Sequence, residues 1–310
     1  MTVLKVGTRG SKLALIQTGF VLKMLAKVEP DLRFQKVTIA TAGDKFRKPF
    51  RAYGLKGIFE KEIDVELAKG NIDFAVHSLK DVPADMYNEL VIAAVPKRDS
   101  PNDVLVSSNG RKLLELTSGS VVGTSSPRRM IQIKHVRPDL KVKQLRGNVE
   151  TRVGKVSKGE YDAIVVAEAG LNRLKLDSMI FERLSLETFT PAPGQGALAV
   201  VMKKGDVSTL KLLSKIDHLE SRNEVTLERR VASRLGGGCQ APIGVIAKQK
   251  RYRIVVYACS FSVDGRKKVS SKVEGRIGDL LTVSNETVDR LIEMGAVDII
   301  DEWRKESVKW

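Results

Sequence analysis

Cys239 stands in the run LGGGCQAPIG (235–244), directly behind three glycines. Glycines let the backbone reach positive φ and approach a ligand closely, so the thiol is held by a loop instead of by packing. The loop alone fits either a reactive thiol, governed by exposure and local charge, or a small cysteine buried in a tight turn. Asp81, in VHSLKDVP (76–83), carries a similar double reading. Just beyond a buried strand, with Lys80 beside it, a carboxylate can stabilise a cation or move a proton; two residues before a proline, it can simply shape a turn. Arginines gather elsewhere, in SSPRR (125–129) and LRGNVETR (145–152). A nucleophilic sulfur and several anion-binding groups would then serve one site.

The elements needed to hold these groups show a weak internal repeat. VLKVGTRGS (3–11) is echoed by SVVGTSSP (120–127), and KGNIDFAV (69–76) by KGEYDAIV (158–165). Each pair reads as a strand running into a capped helix, then a helix end with a glycine stop running into a buried strand. Two similar α/β domains are expected, with mostly parallel sheets that bind ligands beyond the carboxyl ends of their strands. Ser126 before Pro127 is good N-cap chemistry, and Ser11 opens a helix expected over 12–24 with Arg9 just before it. Singly, each is an ordinary capped helix with a solvated arginine; two at equivalent places favour anion sites. Residues 191–202 read as a loop feeding a buried strand that returns to the first domain. From 217 an amphipathic helix runs to Leu235, followed by the cysteine loop and by strands that include a hairpin turn at Asp264-Gly265. One final helix is expected to carry Val288, Leu291, Ile292, Ala296, Ile299, Ile300 and Trp303 on one face. Cys259, in the apolar run RIVVYACSFSV (253–263), belongs to a core.

Composition bounds the partner class. The 310 residues include 53 Lys and Arg against 37 Asp and Glu, a net charge of +16 that suits a polyanionic ligand, nucleic acid or acidic lipid. Two cysteines 20 positions apart form no disulfide framework or zinc pattern, and His77, His135 and His218 lack ligand spacing. No long uncharged apolar run exists and Lys5, Arg9 and Lys12 break any leader, so a cytoplasmic protein is expected, with neither membrane nor metal partners. The stretch 45–53 interleaves cations and aromatics as single-strand nucleic acid binders do. The other arginines sit at loop and helix starts beside glycines, which argues against nucleic acid as the partner. A two-lobed solute-binding protein would explain the paired domains yet leave Cys239 idle.

The ordered motifs TRGSKLA (8–14) with Gln17, KGIF (56–59), HSLKDVP (77–83), GTSSPRR (123–129), LRGNVETR (145–152), AGLNRL (169–174), PGQGA (193–197) and GGCQAPIG (237–244) closely resemble the porphobilinogen deaminase family. The resemblance spans nearly the whole chain. It implies an enzyme that condenses four porphobilinogen molecules head to tail, releases ammonia at each step and finally frees hydroxymethylbilane by hydrolysis. It implies a dipyrromethane cofactor attached through a thioether to Cys239, with Asp81 as the catalytic residue. Lys80, Ser126, Arg128, Arg129, Arg146 and Asn148 match the family's cofactor binders. Arg9, Ser11, Phe59, Arg152, Arg173 and Gln195 match its substrate binders. The implied fold class is α/β: two periplasmic-binding-protein-like doubly wound domains, 1–96 with 191–214 and 97–190, plus a small α+β C-terminal domain, 215–310. A monomer is expected. The sequence departs from the family at 45–53, where a mobile loop is expected, and at Asn102, where members often carry another arginine.

Overall fold

The computed structural model describes residues 3–41, 60–83, 86–236 and 242–305. The chain divides into two compact units: Met1–Asp99 with Ala197–Arg222, and Ser100–Gly196 with Asn223–Trp310. Strands β1 (Val3–Thr8), β2 (Arg33–Thr38), β3 (Phe74–Ser78) and β4 (Leu90–Ala94) belong to the first. The second holds β5 (Asp103–Ser107), β6 (Val121–Gly123), β7 (Lys141–Lys143), β8 (Ala163–Ala167) and β9 (Glu182–Arg183). Strand β10 (Leu198–Lys203) returns to the first unit, as the buried run after residue 191 predicts; β11 (Gly244–Lys250), β12 (Arg253–Phe261) and β13 (Lys268–Arg276) complete the second.

The two five-stranded sheets have the same plan. One is ordered β2-β1-β3-β10-β4, the other β7-β6-β8-β5-β9, and in each the fourth strand runs antiparallel to its neighbours. The repeated sequence motifs occupy equivalent places. Asp73 accepts from the Lys5 backbone N–H at 2.6 Å, and Asp162 from that of Val121 at 2.7 Å, so each motif aspartate pins the start of its parallel pairing. Gly7 and Gly123 are equivalent too: an added Cβ would lie 2.3 Å from Ile72 Cδ1 and 2.8 Å from Tyr161 Cδ1 respectively.

Apolar periodicity explains the helices. In Lys12–Val28, Val21, Leu22 and Leu25 pack on Val6, Phe74, Val76 and Val200. The second sheet is covered on both faces, by Ile133 and Phe189 on one and by Val153, Val156 and Leu171 on the other. The antiparallel sheet β11-β12-β13 packs against Leu227 and Val231 of helix Leu219–Arg234 and against Val288, Leu291, Ile299 and Trp303. Cys259 lies fully buried in that core.

One expectation needs correction. The single final helix is two, Leu280–Glu293 and Ala296–Lys305. Gly295 separates them at φ 88°, where a side chain is disfavoured, and Ile292 is left 44% exposed instead of joining the apolar face. The hairpin turn expected at Asp264-Gly265 is present, within a loop over 262–267 closed by the Ser262 N–H donating to the Lys267 carbonyl at 3.0 Å.

Candidate active site

In the first unit, β3 is buried along FAVH and ends in a 3-10 turn, Leu79–Asp81, that delivers Lys80 and half-buried Asp81 beyond the strand's carboxyl end. Ser11 caps the neighbouring helix, its Oγ accepting from the Ala14 N–H at 3.3 Å, and Arg9 precedes it. Gln17 donates to Ser78 Oγ at 2.9 Å, tying that helix to the end of β3. A group of buried ionisable residues lies in the same unit. Glu60 (3% exposed) and Asp64 (5%) are one turn apart, and His77 of β3 places Nε2 at 3.6 Å from Asp64 Oδ1. Among the described residues no hydrogen bond reaches that Nε2. Burial, then the charges of Asp81 and Asp64, push Glu60 up to about 9 against the opposing charge of Arg9. Burial raises Asp64 to about 7. Burial and the Arg9 charge lower His77 to about 4.

In the second unit, Ser126 Oγ accepts from the Arg129 N–H and Pro127 takes the first helical position, as expected. The two arginines then turn inward. Arg128 donates to Asp103 Oδ2 at 2.8 Å and to the Thr190 carbonyl at 2.7 Å; Arg129 donates to Asp103 Oδ1 at 2.8 and 3.0 Å. Gln195 binds the same Asp103 oxygen at 2.9 Å, the Pro101 carbonyl at 2.8 Å and Arg129 at 3.2 Å. Burial would raise the Asp103 carboxyl, but its two guanidinium partners outweigh that and hold it well below the usual carboxylate range. Burial, with Arg129 close by, lowers Arg128 despite its bond to Asp103. Arg152 is lowered to about 10 by burial and then by the Arg129 charge, and its Nε donates to the Gly147 carbonyl at 2.8 Å. One buried carboxylate thus faces a surplus of guanidinium charge, a donor set that fits a polycarboxylate.

Other expected residues fall nearby in the chain but do different work. Asn148 Oδ1 caps helix Val149–Ser157 by accepting from the Thr151 N–H at 2.8 Å. Arg173 donates to the Gly196 carbonyl at 2.6 Å, next to Gln195, and Arg146 is half-buried just before the Asn148 cap. Cys239, Phe59 and the basic-aromatic stretch 45–53 lie outside the described residues. Sequence reasoning missed Asp103, Glu60, Asp64 and Glu228. Glu228 is fully buried and accepts from the Gly194 N–H at 2.7 Å and the Ala247 N–H at 2.9 Å, so it sets the loop carrying Gln195. A charge opening an apolar strand (Asp103) or recurring on the apolar face of a helix (Asp64, Glu228) was the available signal.

Residues 4–211 match the family described as "Porphobilinogen deaminase, dipyromethane cofactor binding domain", and residues 222–294 match its C-terminal domain. The chain belongs to the porphobilinogen deaminase family. It is 42% identical over 305 residues to the porphobilinogen deaminase of Brevibacillus brevis, covering 98% of both chains. It is 40% identical over 300 residues to that of Desulforamulus reducens, covering 96% of this chain and 97% of the other. Among solved structures, the periplasmic VFT2 domain of Bordetella pertussis BvgS gives a TM-score of 0.40 at 17% identity, over 73% of this chain and 93% of that one. Porphobilinogen deaminase is an enzyme of tetrapyrrole biosynthesis with a dipyrromethane cofactor, and the guanidinium surplus described above fits such a carboxylate-bearing group. Among the described residues no helix is long and apolar enough to cross a membrane.

Proposed function

We propose that the chain joins four porphobilinogen molecules head to tail, with Asp81 as the catalytic carboxylate and Cys239 as the cofactor attachment point. The observation that carries this reading is the delivery of Asp81 by a 3-10 turn off the end of buried β3. Dipyrromethane, when bound, supplies the pyrrole primer to which substrate is added. Arg128, Arg129 and Arg146 hold its carboxylates, with Ser126, Asn148 and Lys80 in support, while Arg152 belongs with the groups that bind substrate. Arg9, Ser11, Arg173 and Gln195 orient the substrate's acetate and propionate, and Phe59 packs beside a pyrrole. As ammonia leaves porphobilinogen, the Asp81 carboxylate stabilises the positive charge left on the substrate and takes up the proton that the α-carbon of the attacking terminal pyrrole gives off. The chain works as a cytoplasmic monomer, and residues 215–310 form a third domain that presents Cys239.

Intact mass of the denatured protein tests the attachment. Wild type should carry two linked pyrrole units and Cys239→Ser none; a fully active Cys239→Ser enzyme would sink the covalent primer. Asp81→Ala should keep the pyrroles yet lose nearly all turnover.

A further inference from the structure

The acids around His77 have no task in the reaction as described. Glu60, ahead of helix Lys61–Ala68, and Asp64 within it are almost fully buried, which for charged carboxylates is costly without paired cations. The groups acting on Glu60 are Asp81 from the 3-10 turn, Asp64 one helical turn on, and Arg9 from the segment after β1. His77 supplies an independent observation. Its Nε2 is buried, has no hydrogen-bond partner among the described residues and lies 3.6 Å from Asp64 Oδ1. A proton on the Asp64 carboxyl, donated toward that nitrogen, would satisfy both groups without creating a buried charge.

We propose that Glu60, Asp64 and His77 form a buried proton store beside Asp81, and that protons held on Glu60 and Asp64 keep this end of the site from repelling carboxylate-bearing pyrroles. The proposal rests on reading Asp81 and Arg9 as substrate-facing. At neutral pH Glu60 is uncharged and adds no repulsion against a substrate carboxylate. From pH about 7 to about 9 first Asp64 and then Glu60 ionise, and added negative charge beside Asp81 opposes an anionic substrate. The effect belongs to substrate capture, so KM responds more than kcat.

The test measures kcat and KM for porphobilinogen from pH 6 to 10 in wild type, Glu60→Gln and Asp64→Asn, alongside the infrared band of protonated carboxyl groups at pH 7. Wild-type KM should rise by about five-fold or more across the alkaline range, an estimate for one unscreened charge near a bound carboxylate. In Glu60→Gln that rise should shrink, and one protonated-carboxyl band should disappear. Folding gives a second readout. A folded carboxyl that keeps its proton to about 9, when the unfolded chain releases it near 4.5, makes stability fall between those values. Glu60→Gln should remove that fall. An unchanged carboxyl band, or a variant KM profile that follows wild type, overturns the proposal. Failure of the underlying reading shows separately, as full turnover by Asp81→Ala.

Discussion

Asp103 shows how one residue can determine the character of several others. Two guanidiniums and an amide converge on its carboxylate with no exposure to solvent. Replacing it leaves Arg128 and Arg129 as buried like charges without their counter-ion. Asp103→Asn should therefore cost about 3–5 kcal/mol in urea unfolding, the range for breaking a buried pair by removing one partner. Arg128 and Arg129 were legible as cations at a capped helix because Ser126 and Pro127 are adjacent in sequence. Their burial was not, because the partner lies 25 and 26 positions away and only the sheet brings it near. Asp81 was legible for the opposite reason: the strand that delivers it is contiguous with it.

At the scale of elements, the duplication was readable because the matched motifs sit at the same steps of each half, and the sheets then impose matching contacts. Gly7 and Gly123 test this. An alanine at Gly7 meets the far end of a flexible isoleucine, whereas at Gly123 it meets the Tyr161 ring, held by its hydroxyl on the Gln144 carbonyl at 2.6 Å. Thermal unfolding should find Gly123→Ala destabilised by about 1–3 kcal/mol, the usual cost of overpacking, and Gly7→Ala less so. Ile72→Val should recover part of the Gly7→Ala loss and none of the Gly123→Ala loss. The final helix was misread for a local reason. Apolar spacing of 3–4 residues continues across Gly295, so periodicity alone carries a helix through a glycine whose backbone ends it.

For the whole molecule, the charge of +16 has a measurable consequence if the substrate is a small polycarboxylate. Salt screens attraction between separated charges, so KM should rise several-fold between about 0.05 and 0.5 M salt, where the Debye length shrinks from roughly 14 to 4 Å, while kcat moves little. The placing of β10 between β3 and β4 also bears on how the chain is made. During synthesis β3 and β4 leave the ribosome about a hundred residues before the strand that must join them. Until then each offers an unpaired edge, while the sheet built from 103–183 can close from contiguous chain. A released fragment ending before Leu198 should hence protect the second sheet from hydrogen exchange and leave the first dependent on chaperones, so that the later of the two sheets matures before the earlier one.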